Sequence, residues 1–116
     1  MSTDSTTPTT EPNSTIHHTD LTTFKLDLIA VCARLETSRG HVHGLAIKDG
    51  VEEIRSEEIN HGRVYPNLDD LDSLGLIEKH EQEVDARTNA YTVTPRGFQL
   101  LAERRDHLAR AVDGGA

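Results

Sequence analysis

The chain has 116 residues, 20 acidic side chains against 12 basic ones, and a formal net charge of −8. Hydrophobic residues make up 34 % and the aromatics are only Phe24, Tyr65, Tyr91 and Phe98, so the length allows one small domain and excludes a two-domain enzyme. No apolar run approaches the ~18 residues of a membrane span, no basic-then-apolar leader opens the sequence, and one cysteine makes no internal disulfide. A soluble, cytoplasmic protein is expected, with a partner subunit completing a thin core. Lysine occurs only at positions 25, 48 and 79, and the other nine cations are arginine. Abundant carboxylates hold water when salt screens every interaction, so the acidity reads as an adaptation to extreme salt. In such a chain, net charge is a poor guide to nucleic-acid binding, and local basic clusters carry the information.

In chain order, residues 1–20 lack Lys, Arg, Leu, Val and Phe and are rich in Thr and Ser. They are read as a disordered tail. Leu21, Phe24, Leu28, Val31 and Leu35 then recur at helical spacing, with Thr22 or Thr23 as N-cap. Leu26, Ile29 and Cys32 widen that stripe to more than one side, which suits a helix placed between its own core and another subunit. A second helix is expected from about His43 to Ile54, and a third from its N-cap Asn60 through Val64, Leu68, Leu71 and Leu74 to a stop at Gly75. Residues 76–81 and 89–93 read as two strands of a hairpin. Thr94-Pro95 starts a fourth helix carrying Phe98, Leu101, Leu108 and Val112.

Three helices followed by a hairpin is the order of a winged helix-turn-helix: mainly α, a three-helix core, a two-stranded wing and a C-terminal helix. The units expected are a tail over 1–20, a winged helix-turn-helix over 21–93 and a C-terminal helix over 94–113. The stretch Gly62-Arg63-Val64-Tyr65-Pro66, with Leu68, Leu71 and Gly75-Leu76-Ile77, resembles the signature of PadR-type transcriptional regulators. His43-Gly44-Leu45-Ala46-Ile47 and Arg87 to Gly97 are similar to two further stretches of that family, in its short haloarchaeal form. The resemblance implies a homodimer on double-stranded DNA, the third helix in the major groove, the wing on flanking backbone, and first and last helices at the dimer interface. No effector carries over.

On these grounds the candidate DNA-binding residues are Asn60, His61, Gly62, Arg63, Tyr65 and Asn67 on the third helix, Arg87, Thr88 and Asn89 in the wing, Arg96, and Lys25. Arginine reads guanine and asparagine reads adenine in bidentate fashion, which makes Arg63 the first choice. Tyr65 has two places open to it, on a phosphate through its hydroxyl or in the core. The candidate dimer interface comprises Leu21, Phe24, Leu28, Phe98, Leu101, Leu108 and Val112. Asp69, Asp70 and Asp72 point different ways on a helix and read as a solvated face rather than a metal or acid-base site. His41, His43 and His61 lack the further ligands of a metal site, and no metal, cofactor or enzyme motif is predicted. The function expected is a homodimeric, sequence-specific DNA-binding regulator, a repressor on a pseudopalindromic operator. The alternatives are a protein–protein adaptor without DNA, a redox-sensing regulator in which Cys32 pairs across the dimer, or a sensor of a small ligand at the dimer interface.

Overall fold

The computed structural model describes residues 16–39, 41–81 and 89–114. Its helices are α1 (Thr23–Arg39), α2 (Gly44–Arg55), α3 (His61–Ser73) and α4 (Pro95–Asp113), and its strands β1 (Val42–His43), β2 (Ile77–His80) and β3 (Ala90–Val93). The sheet is antiparallel in the order β1-β3-β2. The strand pair expected after α3 is therefore present, joined by a third strand of two residues that carries no readable period.

Helix ends sit where local chemistry puts them. Thr22 Oγ1 accepts from Lys25 N at 3.2 Å, Asn60 Oδ1 from Arg63 N at 3.0 Å, and Thr94 Oγ1 from Gly97 N at 3.0 Å. Each satisfies an amide that the first turn leaves without an intrahelical partner. At the end of α3, Gly75 N donates to Asp72 O at 3.0 Å and Leu76 N to Leu71 O at 3.0 Å. That paired closure requires a left-handed residue, supplied by Gly75 at φ 78°. Thr94 also donates its hydroxyl to Gly75 O at 2.6 Å, so the cap of α4 is tied to the stop of α3.

α1 is the spine of the domain. Leu28, Ile29, Val31 and Cys32 are all fully buried, because α2, α3, the sheet and α4 pack against the helix, leaving only Thr23, Ala30, Arg34 and Thr37 exposed among its residues with described side chains. This corrects the interface expected on α1: Leu28 is buried in its own core, Phe24 is 5 % exposed, and Leu21 packs half-buried against the core. Their surplus in the sequence is used within one subunit. The tail boundary is also corrected. His18–Asp20 form a 3-10 turn against α4, with Arg96 Nη2 donating to Ile16 O and the His18 and His107 rings in tilted contact at 5.3 Å. Residues 1–15 lie outside the described residues.

Candidate nucleic-acid interface

α2 and α3 are joined by Ser56–Asn60, and Ser56 ends α2 in the left-handed region at φ 54°. Glu52 Oε2 accepts from Ile59 N at 2.8 Å and pairs with Lys48 Nζ at 3.1 Å, so α2 holds the turn directly. The Ile59 amide, then Lys48, hold the Glu52 carboxyl below its ordinary range. α3 buries Val64, Leu68 and Leu71 and turns Gly62, Pro66, Asp69 and Ser73 outward. That outward ridge has no cation. Its flanks at the first turn carry exposed His61 and Arg63, with the N-cap Asn60 exposed beside them.

Further along, α3 is bracketed by its own aspartates. Asp70 pairs with Lys25 of α1 at 3.3 Å, Asp69 pairs with Lys79 of β2 at 3.0 Å, and Asp72 accepts from Lys79 N at 3.1 Å. Asp69 and Asp70 lie on the solvated face expected for them, 57 % and 62 % exposed, and from there they also tie α3 to its neighbours. Asp69 is also the main reason the Lys79 ammonium is held above its ordinary range. Lys25, with its side chain 19 % exposed against Asp70, is a poor phosphate contact, which corrects its place among the candidates.

Other candidates fall differently. Asn67 is half-buried and its Nδ2 donates to Arg63 O at 2.7 Å, so its amide is partly committed to its own helix. Tyr65 stacks on His61 with centroids 5.6 Å apart and lies against Gly44, where a Cβ would meet Tyr65 Cε1 at 2.6 Å. Its hydroxyl oxygen is out of reach of solvent. Of its two places, the structure gives the core-side one. Asn89 is 7 % exposed, receives Gly44 N on its carbonyl at 3.1 Å, and bonds the Tyr91 hydroxyl through its side chain. It fastens α2 to β3 and is no wing-tip contact. Arg96 turns to Ile16 O, Gln99 and Glu103 of its own subunit. Its unfavourable place at a helix start is offset by those acceptors rather than by a phosphate. Arg87 and Thr88 lie outside the described residues.

Neither histidines nor the cysteine form a reactive centre among the described residues. His61 lies on Tyr65 while His41 stacks on His80 at 5.1 Å, and no three His, Cys, Asp or Glu side chains are grouped to hold a metal. Cys32 is fully buried with Sγ 3.8 Å from Tyr91 O, and burial, aided by Glu36, pushes its thiol up to about 12. This geometry removes the cross-dimer disulfide from the alternatives. A thiol reagent at pH 8 is expected to react with the native chain at least ~100-fold more slowly than with the chain in denaturant. Because the folded thiol titrates higher than the unfolded one, stability is retained below pH ~8.5 and falls above it.

α4 offers an open face. Only Gly97 and Leu100 are buried along it, whereas Phe98, Leu108 and Val112 are 46 %, 48 % and 76 % exposed. Leu26, Ala30, Leu101 and Leu108 line a mainly apolar groove of about 250 Å³ between α1 and α4. The α4 half of the expected interface thus remains available. Sequence reasoning missed Phe24, which lies under two guanidinium groups: Arg63 Cζ is 4.0 Å and Arg55 Cζ 5.3 Å from its ring centroid. Nothing local links positions 24 and 63.

A capped helix presented after a turn, with a three-stranded antiparallel wing beside it, defines a winged helix-turn-helix regulator. The model of the transcriptional regulator PadR-like family matches residues 35–103. RosR of H. salinarum, in crystals grown from NaBr, is 42 % identical, with TM-score 0.64 over 81 % of this chain and 80 % of that one. A complex structure of hsRosR is 40 % identical, with TM-score 0.67 over 81 % and 78 %. PadR of Bacillus subtilis in complex with operator DNA shares the fold at 22 % identity, TM-score 0.55, over 72 % and 47 %. No curated protein matches. The chain belongs to the PadR-like family of transcriptional regulators. No helix among the described residues is long and apolar enough to cross a membrane.

Proposed function

We propose that this regulator acts as a cytoplasmic homodimer on a pseudopalindromic DNA operator, as a repressor, without catalytic activity. The observation that carries the reading is the first turn of α3. Asn60, His61, Gly62 and Arg63 are all exposed there, while the later turns are strapped to α1 and β2. A helix start presents amide groups and positive dipole to phosphate, and Gly62 lets the backbone come close. Arg63 reads a base edge, and Asn60, His61 and Asn67 supply flanking contacts. PadR of Bacillus subtilis, which shares this fold, is in complex with operator DNA, and that supports duplex DNA as the partner here. Two copies joined through α4 place their α3 helices in successive major grooves about one helical turn apart.

The test is selection of duplexes from a random-sequence library by the full chain in high-salt buffer. One enriched, two-fold symmetric sequence is expected. Arg63→Ala is expected to lower the preference for that duplex over a shuffled one by about 5- to 100-fold, the worth of one bidentate contact. The cation-free ridge Gly62–Pro66–Asp69–Ser73 favours a second reading, a protein–protein adaptor. Failure to enrich any sequence would decide for it.

A further inference from the structure

We infer that Phe24 is a positioning residue for DNA readout, a shelf that holds the Arg63 guanidinium by its face and leaves its N–H edge free. The inference rests on the reading of Arg63 as the base-contacting side chain. Phe24 belongs to α1 and Arg63 to the first turn of α3, yet the guanidinium carbon lies 4.0 Å from the ring centroid. Arg55 reaches the same ring at 5.3 Å. The two cations are not held alike. Arg55 is the inner one, with its side chain 25 % exposed, Nη1 on Asp27 Oδ2 at 2.8 Å and Nε on Glu57 Oε2 at 2.9 Å.

Arg63 is the outer one, with its side chain 43 % exposed and its nearest carboxylate oxygen, Glu57 Oε2, at 3.8 Å. That oxygen is already committed to Arg55. Among these contacts, the ring is therefore what restrains Arg63, and a ring restrains a guanidinium through its π face. All five N–H donors lie in the guanidinium plane, so a guanidinium laid along the ring keeps the forked edge that pairs with guanine, with Nη1 also 3.8 Å from Glu57 Oε2. A long side chain otherwise loses rotamer freedom on binding, and stacking in the free protein removes part of that loss.

The experiment measures dissociation constants of the full chain for the library-selected duplex and for a shuffled duplex of the same composition. The readout is their ratio, because partial unfolding lowers both affinities by one factor and leaves the ratio unchanged. Phe24→Leu is expected to lower the ratio by about three- to tenfold, the worth of a cation–π contact. Phe24→Tyr, which keeps the ring, is expected to stay within about twofold of the parent. In an Arg63→Ala background, Phe24→Leu is expected to change nothing further. Phe24→Met replaces Phe24→Leu if leucine unfolds the chain. A ratio unchanged by Phe24→Leu but lowered by Arg63→Ala overturns the shelf and leaves the proposed function standing. Equal losses from Phe24→Leu with and without Arg63, or no rescue by tyrosine, overturn it as well. A ratio untouched by Arg63→Ala overturns the shelf together with the base-reading role.

Discussion

Gly97→Ala is expected to lower the melting temperature by about 10 °C or more, although alanine is the better helix former. Gly97 sits in the first turn of α4, where that helix crosses the end of the hairpin. A Cβ there would lie 2.2 Å from the Leu76 carbonyl oxygen and 2.7 Å from Val93 Cγ1. The Val93 methyl can rotate away, but the carbonyl cannot. Leu76 O accepts from Thr94 N at 3.1 Å, and the Leu76 amide closes the end of α3. Relief by moving α4 would stretch the Thr94 cap, which holds both Gly97 N and Gly75 O. Overpacking against a fixed group costs ~1–3 kcal/mol, and strain in the linked caps adds to it, against ~1 kcal/mol gained in helix propensity. Gly62→Ala is the control. Its Cβ would meet only Asn60 Oδ1, at 3.3 Å on an exposed surface. Thermal denaturation followed by circular dichroism should show that variant within about 4 °C of the parent. Similar losses for both variants would mean that the close approach at Gly97 is not what the fold depends on.

The contrast between those two glycines marks what the sequence makes legible. Features set by a few neighbouring residues are readable: Asn60 as a cap, Gly75 as a left-handed stop, Thr94-Pro95 as a helix start. Each follows from amides and carbonyls within one turn. Features set by what packs across the domain are not. The wide apolar surface of α1 has two explanations in sequence, a dimer face or a helix packed on several sides within its own subunit, and periodicity does not separate them. The structure encloses Leu28 completely. Asn89 looks like a turn residue because Asn favours turns, yet its partners, Gly44 and Tyr91, include one 45 positions away. Arg96 and Lys25 read as free cations only until Ile16, Glu103 and Asp70 are placed beside them. In a chain with 20 acidic residues, a cation has many carboxylates within reach. The candidate site shrinks accordingly to the first turn of α3, where Arg63 remains the most exposed of the paired arginines around Phe24.

Leu108→Asp combined with Val112→Asp is expected to convert the proposed dimer to monomers and to weaken binding to the selected duplex by about a thousandfold or more. α4 runs for 19 residues, yet its buried residues are confined to its first two turns. Beyond Arg104 every described residue is exposed. Apart from His107 on His18 and Leu108 at the α1 groove, the nine helical residues beyond Arg104 pack on nothing in the single chain, so the apolar stripe on that stretch needs a covering surface. The groove between α1 and α4 opens beside Leu108 and carries Arg104 and Asp27 at its rim, which suits an antiparallel copy of α4 with its Arg and Asp side chains. In a two-fold assembly each substitution acts twice. Four exposed aliphatic side chains forgo ~1 kcal/mol of burial each, and four carboxylates lose hydration if the interface still forms. Leu101 is the wrong residue for this test, because it packs against its own core and its loss would destabilise the monomer as well. Leu108 is 48 % exposed at the edge of the groove and Val112 is 76 % exposed, so their replacement should lower the melting temperature of the monomer by no more than about 4 °C. Arg105 and Arg110 are near enough in sequence to pair with one new Asp, and the double substitution limits that rescue. The decisive measurement is light scattering in high-salt buffer beside a titration with the selected duplex. Monomers that still bind a full two-fold operator tightly would show that α4 does not assemble the regulator; an intact dimer would place the interface elsewhere on the chain.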